Sequence, residues 1–150
     1  MLGRAMAPSD FTPDAVRTLA RLSRLLERGA GELSLPQFRV LTVVDDGGDR
    51  ASWLAERLAL AKPTITSIVD GLVERGYLTR TADLGDRRVT RIQLTQRGRR
   101  ALEAAETAMT ERLREVLAQT DEPASVAWAI NELGSGLDRM RAKRLAAERA

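Results

Sequence analysis

The chain has 150 residues, no cysteine, no histidine, 3% aromatic residues and a formal net charge of +3. Without cysteine there is no disulfide framework and no thiol switch. Without histidine a transition-metal site would rest on carboxylates alone, and the usual acid–base and nucleophilic side chains of enzymes are missing. Neither an enzyme nor a cofactor-bearing protein is therefore expected. No apolar run approaches the roughly 20 residues of a membrane span. Residues 1–8 lack the apolar stretch of a signal peptide, so a cytoplasmic chain with residues 1–9 disordered is expected.

The elements follow in chain order. Residues 13–28 predict an amphipathic helix with Val16, Leu19, Leu22 and Leu26 on one face, Pro13 in its first turn and Gly29 and Gly31 at its stop. A second helix begins at Ser34, where Ser34 and Gln37 form a capping-box pattern and Pro36 sits in the first turn. Phe38, Leu41 and Val44 form its inner stripe. Asp45-Asp46-Gly47-Gly48 reads as a polar helix stop rather than a catalytic carboxylate pair. A short third helix covers 52–58, and a fourth runs from 63 to 75 and ends at Gly76. Residues 77–81 and 89–94 predict a two-stranded ribbon turning at Asp83-Leu84-Gly85-Asp86. Thr95 then caps a long helix reaching to about 119, and Thr120-Asp121-Glu122-Pro123 opens a last one. That last helix carries Val126, Ile130, Leu133, Leu137 and Met140, with Gly134 and Gly136 as weak points.

Charge is unevenly spread. Residues 50–100 hold 11 Arg and Lys against 5 Asp and Glu, whereas the remainder holds 13 against 16. A basic middle third on a neutral frame suits a polyanion partner.

In the fourth helix Ile65, Ile68, Val69 and Leu72 share the core-facing stripe. Thr64, Thr66, Ser67 and Asp70 remain outside, behind a start made by Lys62 and Pro63. Small hydroxyl side chains at a helix start allow entry into a DNA groove, with the helix dipole near phosphates. The bland alternative is an ordinary helical hairpin. The ribbon favours the groove reading. Arg80, Arg87, Arg88 and Arg91 crowd two short strands, although exposed charges add little stability. Arginine at a loop tip suits a narrow, negative minor groove, and Asp86 is placed to hold a neighbouring guanidinium. The rival for the ribbon is a charged edge that avoids strand pairing. Trp53 and Trp128 are expected to be core or interface residues rather than ligand platforms.

Six motifs occur in register between residues 34 and 100: Leu35-Pro36-Gln37-Phe38-Arg39-Val40-Leu41, Leu54-Ala55-Glu56-Arg57-Leu58, Lys62-Pro63-Thr64-Ile65-Thr66, Val73-Glu74-Arg75-Gly76-Tyr77-Leu78, Asp86-Arg87-Arg88 and Leu94-Thr95-Gln96-Arg97-Gly98. Together they resemble the winged helix-turn-helix core of the MarR family of bacterial transcription regulators. The resemblance implies a homodimer on a pseudopalindromic operator, usually a repressor. The fourth helix would read the major groove and the wing arginines the minor groove. In many members a small organic compound, often aromatic or anionic, binds between the lobes and releases DNA. Two departures stand out. Many members carry arginine where this chain has Ser67, and a serine or aspartate cap where it has Ala61. The absence of cysteine and of histidine separates the chain from the family's peroxide-sensing and metal-sensing subgroups.

The expected fold is mainly helical (α+β with a small β-wing). A winged helix-turn-helix lobe at 34–95 joins a dimerisation lobe of long helices at 10–30 and 96–147. The expected DNA-contacting residues are Lys62, Pro63, Thr64, Thr66, Ser67, Arg80, Asp86, Arg87 and Arg88. The expected partners are double-stranded DNA, a second copy of the chain and a small organic effector, with no membrane. The rival function is a winged-helix protein-interaction module without DNA binding.

Overall fold

The computed structural model describes residues 12–82 and 90–147. The expected disorder of 1–9, the ribbon turn and the candidates Asp86, Arg87 and Arg88 lie outside the described residues. The element order is α1 (Pro13–Gly29), α2 (Leu35–Asp45), α3 (Ala51–Leu58), α4 (Lys62–Glu74), β1 (Leu78–Ala82), β2 (Thr90–Leu94), α5 (Gln96–Leu117) and α6 (Pro123–Ala147). This is the helical chain with a small antiparallel ribbon that the periodicity and turn residues predict. Residues up to Arg112 form one compact unit and those from Leu113 a second, a division that falls within α5.

The core of the first unit is built by α2, α3, α4, the ribbon and the start of α5. Leu41, Leu54, Ile65, Val69, Leu72 and Leu78 are fully enclosed, joined by Ile92 and Leu102. Each such aliphatic side chain contributes about 1.5–3 kcal/mol when removed from water, so this cluster fixes α4 on one side. Ile68 packs half-buried at its margin. The four-residue stripe read from α4 therefore faces inward as expected.

Local signals account for the boundaries. Ser34 Oγ accepts from Gln37 N and Gln37 Oε1 accepts from Ser34 N, completing the capping box. Thr95 Oγ1 accepts from Gly98 N at 2.9 Å and donates to Gly76 O at 2.7 Å, so it caps α5 and ties that helix to the end of α4. Gly76 adopts φ +72°, a conformation that glycine enters without a Cβ penalty. Ala61 offers no side-chain cap to α4, as its chemistry requires.

Gly29 is the last helical residue of α1, with Ala30 as the cap, so the helix stops where the glycines mark it. Gly134 and Gly136 do not interrupt α6, which is continuous from Pro123 to Ala147. No neighbour lies within 4 Å of a Cβ built at Gly134, so that glycine costs helix propensity without marking a packing contact.

The long helices keep apolar side chains in water. Val16 and Leu19 of α1, Val116 of α5 and Leu133, Leu137 and Met140 of α6 are exposed. Trp128 is 67% exposed, so within a single chain it is not a core residue. Trp53 is half-buried, and a Cβ on Gly48 would fall 2.1 Å from its ring. It packs on the loop after α2, with the Arg57 guanidinium 4.8 Å above its centroid. Among the described residues no helix is long and apolar enough to cross a membrane.

Candidate nucleic-acid interface

The turn between α3 and α4 begins at Ala59, the C-cap of α3, with φ 51°. Its N–H bonds back to Ala55 O and Glu56 O, and Leu60 N bonds to Ala55 O at 3.0 Å. This left-handed residue turns the chain sharply into Ala61, which is extended and starts α4. Pro63 then sits in the first turn, where a missing N–H is harmless.

With Ile65, Val69 and Leu72 locked in the core, the opposite face of α4 is fixed outward. Lys62, Pro63, Thr64, Thr66, Ser67 and Asp70 are all exposed. Five of the nine residues expected to meet DNA thus lie together on one helix face. Thr66 Oγ1 donates to Lys62 O at 3.0 Å. Its proton is engaged, so in this conformation it offers a base edge only acceptor lone pairs.

The ribbon pairs Leu78 with Leu94, Arg80 with Ile92 and Ala82 with Thr90. Paired residues share a face of a strand pair. Arg80 therefore lies on the side of buried Leu78 and Ile92, and its Nη2 meets Asp70 Oδ1 of α4 at 2.5 Å. Arg91 engages Asp49, whose carbonyl oxygen also accepts from Ile92 N at 2.7 Å. Two of the four ribbon arginines are thus bound to carboxylates of the fold. Arg91 thereby fastens β2 to the loop after α2. The partners Asp70 and Asp49 were missed because they stand 10 and 42 residues away in sequence.

A second polar cluster escaped the sequence altogether. Arg75, the C-cap of α4, donates to Glu32 O at 3.1 Å, Gln37 Oε1 at 3.4 Å and Tyr77 Oη at 3.1 Å. Tyr77 Oη donates to Glu32 Oε2 at 2.7 Å. The Tyr77 ring also lies near two guanidinium groups, Arg75 at 4.6 Å and Arg97 at 5.2 Å from its centroid. Beside this cluster opens a cavity of about 460 Å³, lined among others by Glu32, Leu33, Tyr77, Arg97, Arg100 and Ala104. It lies where the loop after α1 meets the start of α5.

Among the described residues no group of histidine, cysteine, aspartate and glutamate is arranged to hold a metal ion. The site consists of an outward helix face, a ribbon with arginines and a separate cavity.

The sequence model of the MarR family matches residues 32–89, the segment that contains α2, α3, α4 and β1. Over that segment the chain is similar to the MarR family. Its relatives include the uncharacterised HTH-type transcriptional regulator YpoP of Bacillus subtilis, 33% identical over 81 residues, covering 53% of this chain and 57% of that protein. The HTH-type transcriptional repressor YetL of the same organism is 35% identical over 74 residues, covering 47% and 44%. The chain thus spans about half the length of the curated relatives it matches. A probable transcriptional regulator from Pseudomonas aeruginosa has a similar crystal structure, with a TM-score of 0.67 and 27% identity, covering 87% of this chain and 99% of that one. The MarR family and these relatives are transcription regulators and not enzymes. The winged helix-turn-helix reading of the ribbon and the helices before it stands.

Proposed function

We propose that the protein is a sequence-specific DNA-binding transcription regulator that acts as a homodimeric repressor on a pseudopalindromic operator. The observation that carries this reading is the face of α4. Ile65, Val69 and Leu72 are fully buried while Lys62, Pro63, Thr64, Thr66 and Ser67 are all exposed. A helix held this way presents its polar N-terminal half as one rigid surface that fits a major groove. Arg87 and Arg88 of the wing contact the adjacent minor groove or its phosphates, with Asp86 steadying one of them. YetL, a relative over about half of the chain, is a transcriptional repressor, which supports the sign of regulation.

Residues 34–95 form the DNA-binding lobe in this reading, and 10–30 with 96–147 the dimerisation lobe. α1, α5 and α6 each carry exposed apolar side chains that a second copy covers in this reading. The cavity beside Tyr77, whose lining includes Arg97 and Arg100, holds the effector, a small organic anion. An effector releases DNA only through its differential affinity for dimers with correctly and wrongly spaced reading heads.

The test is a gel-shift and anisotropy titration on genomic fragments across a salt series. Each phosphate contact contributes a slope of about −0.9 in log K against log salt. Binding with a steep slope, flattened by alanine at both Arg87 and Arg88, supports the reading. The absence of any salt-dependent shift favours a protein-docking winged helix instead.

A further inference from the structure

We infer that Asp70 is a positioning and specificity-determining residue that restrains Arg80 and keeps it from binding DNA indiscriminately. The inference rests on the reading of α4 as the recognition helix and concerns a residue that reading does not otherwise use.

Asp70 occupies an unfavourable place for a carboxylate. At about 100° per residue it lies between Thr66 and Ser67 around the α4 axis, one turn further along. It therefore belongs to the outward face. A carboxylate there approaches the phosphate backbone and weakens binding to any duplex. Arg80 answers it from β1, with Nη2 2.5 Å from Oδ1. The register opposite Ile92 turns Arg80 towards α4. The pair is not buried: the side chains of Arg80 and Asp70 remain 38% and 54% exposed. Exposed ion pairs stabilise a fold little, so stability does not explain it.

The pair has a consequence for recognition. An unrestrained guanidinium beside the recognition helix would reach phosphates of any sequence, because such contacts carry no sequence information. Held on Asp70, Arg80 has its charge offset by the neighbouring carboxylate. The carboxylate can also accept from cytosine N4, or from the amino group of adenine, when α4 is seated in register. Out of register it meets only phosphate and repels it. Asp70 thus lowers non-specific affinity more than operator affinity.

The experiment compares the full-length protein with Asp70→Ala, Asp70→Asn, Arg80→Ala and the Asp70→Ala/Arg80→Ala double variant. Each is titrated against a selected operator and against a random-sequence duplex over a salt series. Circular dichroism melts establish that every variant is folded. Asp70→Ala should tighten random-duplex binding by about tenfold while changing operator affinity less, so the specificity ratio falls. Its random-duplex salt slope should steepen by about one phosphate contact. That added slope should vanish in the double variant, because Arg80 supplies it. Asp70→Asn, which keeps an acceptor but loses the charge, should fall between. An unchanged specificity ratio, equal weakening on both duplexes, or a steepened slope that persists without Arg80 would overturn the inference. If the wild-type protein binds neither duplex, the recognition-helix reading falls first and this inference with it.

Discussion

A Cβ added to Gly98 would lie 2.0 Å from the carbonyl oxygen of Tyr77. That contact joins the start of α5 to the chain just before β1. The same carbonyl accepts from Thr95 N at 3.0 Å and from Thr95 Oγ1 at 3.2 Å. The Leu-Thr-x-x-Gly run after the ribbon is therefore a close-packing device: threonine caps and bridges, and glycine lets the backbones approach. Gly98→Ala should destabilise the fold by about 1–3 kcal/mol, the usual cost of forcing atoms into a filled space. Urea denaturation followed by circular dichroism reads this directly. An unchanged midpoint would show that the two backbones separate freely.

Ala59 carries the opposite error. It holds φ 51° at the turn between α3 and α4, where an L side chain is strained by about 1–2 kcal/mol. Ala59→Gly should relieve that strain, offset in part by the freedom glycine has when unfolded. A net gain of about 0.5–1 kcal/mol is expected, seen as a raised melting temperature with DNA affinity retained. A lowered melting temperature would contradict the strain argument.

Glu32, Arg75 and Tyr77 act as a unit that fastens the C-cap of α4 to the loop before α2. Tyr77→Phe removes the hydroxyl that donates to Glu32 and accepts from Arg75. It should cost about 1 kcal/mol, the typical net value of an intramolecular hydrogen bond. Glu32→Ala with Tyr77→Phe should cost less than the sum of the single changes, because the two share one bond. A double-mutant cycle from thermal or urea melts gives the coupling. Strict additivity would dissolve the cluster as an energetic unit.

The exposed stripe on α6 leads to an association prediction. In this account Leu133, Leu137 and Met140 are covered by a second copy. Light scattering at micromolar concentration should give twice the 16.5 kDa chain mass. Leu137→Glu should shift the population towards monomer, since an uncompensated charge is costly in an apolar interface. A wild-type protein that is folded and monomeric at that concentration would refute the dimer.

Much of this architecture was legible from local signals. Ser34 and Gln37, Thr95, Gly76 and the stripe of Ile65, Ile68, Val69 and Leu72 act within a few residues of themselves. Those elements emerged close to their observed bounds. Contacts across long separations were not legible. Nothing in the ribbon sequence distinguishes Arg91, which fastens to Asp49, from arginines at the turn. Nothing near Arg75 points to Glu32, 43 residues earlier. Trp128 was expected in core or interface, and its residue type could not tell the two apart; within one chain it stands in water, which removes only the core alternative. The outward residues of α4 were legible for a geometric reason: once the buried stripe is known, the remaining positions of a helix can only face outward.

The central claim is that the outward face of α4 reads base edges. Selection from a random duplex library tests it most directly, run in parallel with the wild-type protein and Ser67→Arg. Ser67 is exposed on that face, so its side chain can change without disturbing the core. The wild type should enrich an inverted repeat whose half-sites lie about one helical turn apart, roughly 34 Å. Ser67→Arg should enrich the same spacing with a changed preference at one or two base pairs per half-site, since arginine favours guanine. No enriched motif for the wild type, or an identical motif for both proteins, would contradict the account.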